Sequence, residues 1–515
     1  MNLPSRSCRA ATVLTLSVAF AGCSNVVDVQ PETFSGTTTY YETPEQMDRA
    51  LFGAYAALQT TYGSAVAGPA WPMIEMRSDN TTFELNPNNR SQTQQESIED
   101  FTNAAENITG NNGWNTTYNA ILQSNTILDR IEPVVYPTDA AKARVIGEAK
   151  FLRALHYFNL VRWFGDVPLL VHEVQSYEGA FVSVRTPADS VLRVVIADLK
   201  DAIPKLPVRS ALPAAQAGRA TSGAASMLLA DVYMWQKNWQ GAVDQLDAVT
   251  KMGYSLVTAG TPTAYDRVFD PAFKNGPESI FEIQWTDAVV GEGSGFTPRF
   301  LPLQSQRVLT FGTTDNATTG GGSWNIPTRD MVRAYETGDL RKNASIGYYV
   351  SATNRADLDV VFNDSVPYIK KYWHPYAIAG RANDNFPVYR YAETLLNLAE
   401  SLNELGRTAE ALPLINQVRV RAGLPALAGL SQAAFRDAVF REQRVELAFE
   451  NKRWFQLVRT GRAIPIMTAH GAEIIAYSGV LRRSAGTYAV TPQKLLFPIP
   501  QREVTVNALP QNPGY

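Results

Sequence analysis

Residues 147–171, GEAKFLRALHYFNLVRWFGDVPLLV, decide how the chain is read. From Gly147 to Phe164 apolar side chains occupy almost the whole circumference of a helix, and Arg153, His156, Asn159 and Arg162 interrupt them at every third position. A narrow polar stripe on an otherwise apolar cylinder predicts a helix enclosed by neighbours on most sides. Gly165 can take the left-handed geometry that ends a helix, and Pro168 bars its resumption, so Val167 to Val171 is expected to leave as an extended segment. Arg153 and Arg162 sit on a buried element and must find carboxylates or carbonyls, because an unpaired buried charge costs several kcal/mol. Their expected role is structural.

Two other stretches repeat one another. Leu229-Ala230-Asp231 is followed twelve residues on by Ala242, and Leu398-Ala399-Glu400 is followed at the same interval by Ala411. Small residues at these places let two paired helices approach closely, so 218–256 and 391–424 read as helix-turn-helix repeats of tetratricopeptide type, with turns at Lys237-Asn238 and Leu405-Gly406. Helices at 114–131, 141–164 and 187–203 supply further hairpins, and Thr43-Pro44-Glu45 starts one more with a capping hydroxyl and a proline at its first position. Between these helices the periodicity fails twice. Residues 64–112 and 257–385 are rich in Asn, Thr, Gly and aromatics, and long irregular segments on a compact scaffold are where function usually resides.

The motif GEA-x-FLRAL-x-YF-x-LV-x-x-FGDVPL resembles the signature of the SusD/RagB family, the lipid-anchored glycan-binding partners of outer-membrane nutrient transporters in Bacteroidetes-like bacteria. Other stretches are similar in family order: Phe52-Gly53-Ala54-Tyr55-x-x-Leu58, Gly338-Asp339-x-Arg341, Lys370-Lys371-Tyr372, Ile415-Asn416-x-Val418-Arg419, Arg441-Glu442-x-Arg444-x-Glu446, Leu496-Phe497-Pro498-Ile499-Pro500 and the closing Gln511-Asn512-Pro513-Gly514-Tyr515. The resemblance implies a single mainly α domain over 43–515, a stack of tetratricopeptide-type hairpins carrying an irregular region with short strands. It further implies capture of a glycan for a SusC-like TonB-dependent transporter, with ligand contacts drawn from the two irregular regions.

Composition sets limits on the alternatives. Across 515 residues, 46 Lys and Arg nearly balance 49 Asp and Glu, so net charge favours neither nucleic acid nor a lipid surface. Arg6 and Arg9 before the apolar run Ala10–Ala21 predict a signal peptide over 1–22. Phe20-Ala21-Gly22-Cys23 resembles a lipobox, although Phe20 stands where Leu is typical, so Cys23 is expected to carry the lipid, with 23–42 as tether. The single acidic residue soon after it, Asp28, speaks only weakly for an outward-facing protein.

Catalysis has few candidates. Glu442, Glu446 and Glu450 recur every four residues on a predicted helix 436–459, but Arg441, Arg444, Arg453 and Arg459 accompany them, which predicts an ion-pair lattice. The four histidines fall at no metal-ligand spacing, and neither a metal nor a cofactor is expected. Binding is the remaining chemistry: aromatic faces stack on sugar rings while Asp, Asn and Arg bond the hydroxyls. Trp71, Asp79, Asn80 and Arg90 in the first irregular region and Trp285, Phe296 and Trp324 in the second are the expected contacts, meeting where 64–112 approaches 285–325. A helical scaffold that binds only protein, without a sugar site, or a binder of peptide or another nutrient, is the alternative.

Overall fold

The computed structural model describes residues 40–63, 68–84, 92–176, 179, 181–258, 265–289, 291–296, 300–302, 323–350, 365–374, 382–477 and 486–515. The expected leader, Cys23, nearly all of the tether, and Arg90 lie outside these residues. The helices, in order, are α1 (Pro44–Gly63), α2 (Thr93–Glu99), α3 (Ile108–Arg130), α4 (Asp139–Phe164), α5 (Ala188–Ala202), α6 (Ser222–Trp235), α7 (Trp239–Thr250), α8 (Arg329–Ala334), α9 (Arg341–Ser345), α10 (Tyr391–Glu404), α11 (Thr408–Arg421), α12 (Gln432–Glu446), α13 (Arg453–Arg459), α14 (Ala463–Tyr477) and α15 (Gln501–Val506). Among the described residues six short strands accompany them: β1 (Thr81–Thr82), β2 (Ser279–Ile283), β3 (Ile326–Pro327), β4 (Ile346–Tyr349), β5 (Val366–Ile369) and β6 (Phe386–Arg390). They pair antiparallel as β1–β3, β2–β6 and β4–β5. The fold is mainly helical, and no described helix is long and apolar enough to cross a membrane.

The signature stretch forms the central element. Thr138 caps α4 through its hydroxyl, and every residue from Phe151 to Phe164 is buried against α1, α3, α5 and α6. Each fully buried aromatic on it contributes about 1.5–3 kcal/mol by leaving water. Gly165 then turns left-handed with φ 74°, and Val167 bridges Thr186 in extended conformation. The polar stripe is satisfied at three of its four places. Arg153 makes a bidentate pair with Asp198 at 2.8 Å and also donates to Asn125 and the Val171 carbonyl. Asn159 joins the Tyr62 hydroxyl to Arg162, which reaches Asp231 at 3.3 Å. His156 has no hydrogen-bond partner on either ring nitrogen among the described residues.

The repeats form as the alanines require. Ala230, Ala242, Ala399 and Ala411 are fully buried where α6 meets α7 and α10 meets α11, and α10 also packs on α7, so the two hairpins stack. Lys237 at φ 58° and Gly406 at φ 77° make the turns.

The predicted helix 436–459 is corrected: it breaks after Glu446. Phe449 and Asn451 take φ of 69° and 57°, and their amides donate to the Glu75 carboxylate at 3.0 and 2.9 Å, bonds an unbroken helix would not free. The lattice exists, but with partners distant in sequence. Arg341 joins Glu442 and Glu446 at 2.6 and 3.0 Å, Arg390 spans Glu278, Glu446 and Glu450, Arg421 joins Glu278 and Glu446, and Lys371 holds Glu450 at 2.6 Å. Burial alone would raise Glu446, yet Arg421, Arg390 and Arg341 hold it well below the usual carboxylate range. Arg341, Arg390 and Arg421 thus lock α9, β6 and α11 onto α12, while the motif residues Asp339 and Lys371 hold Arg341 and Glu450 in place.

Candidate functional site

The two irregular regions meet. β1 pairs with β3, Thr81 opposite Pro327 and Thr82 opposite Ile326, and the ladder extends through Glu84 N to Ser323 O at 2.8 Å and Thr328 N to Asn80 O at 2.9 Å. The Thr81 hydroxyl donates to Asn325 Oδ1 at 2.7 Å and that of Thr328 to the Asp79 carbonyl at 2.9 Å. Ser323 and Asn325 take φ of 50° and 54° on either side of Trp324. Left-handed geometry at a non-glycine residue costs on the order of 1–3 kcal/mol, and the surrounding bonds enforce it here.

Beneath this junction lies a polar latch. Arg453 binds both oxygens of Asp79 at 2.8 and 2.9 Å, and Arg444 reaches Asp79 Oδ2 and Asn80 Oδ1, each at 3.0 Å. Asn80 Nδ2 in turn donates to Glu75 Oε1 at 2.9 Å. Burial would raise Asp79, but Arg444 and Arg453 outweigh it and hold the carboxyl far below its ordinary value. Glu75 makes no ion pair with a guanidinium among the described residues; burial lifts it to about 7 against the bonds from Asn80, Phe449 and Asn451 and the charge of Lys371.

Aromatic rings fill the other side. Trp71 packs edge-on against Phe300 at 5.6 Å, Phe300 against Phe296 at 5.6 Å, and Phe296 against Tyr372 and Phe386. The Trp285 indole occupies the space above Gly63, while its amide donates to Asn385 Oδ1 at 2.9 Å and its carbonyl accepts from Lys274 Nζ at 2.7 Å.

Trp71 and Phe296 are thus joined through Phe300, and Asp79 and Asn80 lie at the β1–β3 junction beside Trp324, whereas Trp285 packs over Gly63; all six that are described are buried. Trp71 and Phe296, at 2% and 1% exposure, offer no face to a sugar, so the stacking role expected of them gives way to packing. The polar groups of Asp79 and Asn80 are taken up by arginines, so the hydroxyl contacts expected of those residues also give way to a structural role. Trp285 and Trp324 reach 9% and 6% exposure and are the tryptophans of the set closest to the surface. Sequence reasoning passed over Tyr348, 40% exposed on β4 of the ribbon whose β5 adjoins β3. Its only signal was the short run Ile346–Tyr349, too brief to distinguish a strand from a buried turn. The three glutamates of the α12 region are engaged by cations, and among the described residues no three His, Cys, Asp or Glu side chains converge as a metal site.

Residues 341–515 match the model described as the SusD family, and residues 41–234 match a second described as starch-binding associating with outer membrane. The chain belongs to the SusD/RagB family. A SusD-like protein of Formosa agariphila is 25% identical across 94% of both chains, and another from that organism is 28% identical across 86% of this chain and 89% of its own. Among solved structures, a laminarin-binding SusD-like protein has a TM-score of 0.73 at 25% identity, covering 92% of this chain and 99% of its own. A SusD-like carbohydrate-binding protein of Bacteroides fragilis reaches 0.74 at 25% identity, covering 90% and 98%. The helical stack with its mounted irregular regions is thus the SusD fold, and the family description places its members with the outer membrane.

Proposed function

We propose that the protein is a cell-surface lipoprotein that captures an oligosaccharide where β1 and β3 join the two irregular regions, and delivers it to a SusC-like TonB-dependent transporter. The carrying observation is that pairing: it fixes two aromatic-rich, non-helical regions against each other on a rigid helical stack. The likeness to a laminarin-binding SusD protein supports a saccharide as ligand. Binding without turnover is consistent with carboxylates committed to arginines. Trp285 and Trp324 supply the aromatic edges of the site.

The test is calorimetry of the full chain with laminarihexaose as first probe, followed by a panel of other neutral oligosaccharides. Trp285→Ala or Trp324→Ala is expected to weaken binding by about 1–3 kcal/mol, the usual range for an aromatic anchor. Full affinity in both variants places the site elsewhere, and no saccharide binding at all favours the protein- or peptide-binding alternative.

Anchoring through Cys23 is part of the proposal, because two acyl chains hold a protein stably at a membrane where one does so only marginally. Cys23→Ala is expected to move the protein into the soluble fraction. Protease added to intact cells reports the face: digestion of the anchored protein marks it as outward.

A further inference from the structure

Beside β2, and sharing no lining residue with the β1–β3 junction, lie two adjoining hollows. The larger, about 800 Å³, is walled by the 208–219 segment, the end of α7 and the outer side of β2, with Arg209, Tyr254, Lys274 and Asn275 among its lining. The smaller, about 250 Å³, contains Arg267 and Phe273, and the two share Ser279 and Glu282. The larger is of the size that takes a small ligand or a few sugar rings, and the smaller extends it.

Their charge is unbalanced. Arg219 and Lys251 have carboxylate partners, and Arg390 belongs to the buried lattice. Arg209, Lys274 and Arg267 make no ion pair among the described residues. Arg209 donates to the carbonyls of Asn275 and Gly276 at 2.9 and 2.7 Å, and Lys274 to the Trp285 carbonyl and the Asn383 side chain. Against these three cations the lining sets Glu282, which accepts from Asn275 N and Asn385 Nδ2, and Glu278, which Arg390 and Arg421 engage. A partly enclosed wall of like charge concentrates counter-charge from solution. Lys274 is half-buried and that burial lowers its pKa against the fields of Asp384, Asp287 and Glu282, so an anion bound beside it would add to the charge that holds it protonated. An aromatic face is present too: Phe273 is 43% exposed with the Arg267 guanidinium 4.2 Å from its ring centre.

We propose that these hollows form a second binding groove, for an anionic oligosaccharide whose carboxylate or sulfate groups pair with Arg209, Lys274 and Arg267 while a sugar ring packs on Phe273. The proposal rests on the glycan-binding reading for its ligand class but not on the junction as the binding place. Carboxylated and sulfated sugars share the chemistry required, and a peptide of equal charge lacks the ring faces.

Calorimetry of the full chain with a galacturonate hexamer, a carrageenan hexasaccharide, hexaglutamate and laminarihexaose separates these cases. At least one of the two anionic sugars is expected to bind, more weakly as salt rises, with its affinity falling about tenfold in Phe273→Ala. Arg267→Gln should weaken it similarly, and neither exposed change should alter the laminarihexaose titration. Failure of both anionic sugars, unchanged affinity in both variants, or equal binding of hexaglutamate overturns the groove. Laminarihexaose binding alone would overturn the groove and leave the junction reading intact. Anionic sugar binding that depends on Phe273, without laminarihexaose binding, supports the groove and counts against laminarin as the junction's ligand.

Discussion

Arg453 binds both carboxylate oxygens of Asp79 at 2.8 and 2.9 Å, tying the first irregular region to a helix 374 residues further along the chain. Both side chains are buried, and Arg444 shares the same carboxylate. Asp79→Ala leaves two guanidinium groups partly uncompensated in the interior and is expected to cost about 3–5 kcal/mol in chemical denaturation. Asp79 is depressed in the folded state, so its contribution is complete above the unfolded carboxyl pKa near 4 and is lost as the pH falls further. Asp79→Asn should therefore flatten the acid side of the stability profile. An unchanged acid limb would mean that the pair does not couple folding to protonation.

His156 has the opposite environment. It is fully buried without a hydrogen-bond partner among the described residues, and burial pushes it down to about 3. The unfolded chain takes up this proton near pH 6.5, whereas the folded chain does not until the pH is far lower. Stability is therefore present above the unfolded pKa and is lost as the pH falls from 6.5 towards 3. At pH 5 the loss amounts to about 2 kcal/mol. His156→Leu should consequently gain about 2 kcal/mol on the wild type at pH 5 relative to pH 8, as read by urea denaturation. An equal difference at both pH values would mean that the ring is not held neutral.

The stacked repeats depend on close approach. Ala399 is fully buried on α10, which packs on both α7 and α11, so Ala399→Phe adds a ring to an interior already filled. A loss of about 1–3 kcal/mol is expected. A thermal melt equal to the wild type would contradict the packing of the repeats.

Legibility in the sequence followed the range of the interaction. The burial of α4, its stop at Gly165, the need of Arg153 for a carboxylate and the two alanine-spaced hairpins were all readable, because each is written in residues within a few turns of one another. The identity of Asp198 as the partner of Arg153 was not. The same limit explains the α12–α13 break, since Glu442, Glu446 and Glu450 look like one helical face until Glu75, far upstream, is seen to hold the amides of Phe449 and Asn451. At the candidate site the meeting of the two irregular regions was anticipated, but whether each of its aromatics packs in the core or faces a ligand was not decided. A tryptophan in a non-periodic segment carries no local sign of whether a loop packs over it.

That burial gives the site a specific test at Gly63. A Cβ there would lie 1.7 Å from Trp285 Cζ2, so Gly63→Ala cannot form without moving the indole and, through the Trp285 backbone bonds to Asn385 and Lys274, the start of the 285–296 segment. Gly53 on the same helix is the control, because the nearest atom to its Cβ is Gln123 Oε1 at 3.6 Å. Gly53→Ala is expected to be neutral or stabilising by up to about 1 kcal/mol, the helix preference of alanine over glycine. Gly63→Ala should cost about 1–3 kcal/mol of stability through overpacking. It should also weaken laminarihexaose, or whichever neutral oligosaccharide the panel identifies, by about tenfold or more, while Gly53→Ala binds as the wild type does. Equal saccharide affinity in the two variants would separate Trp285 from the binding site and leave it a packing residue alone.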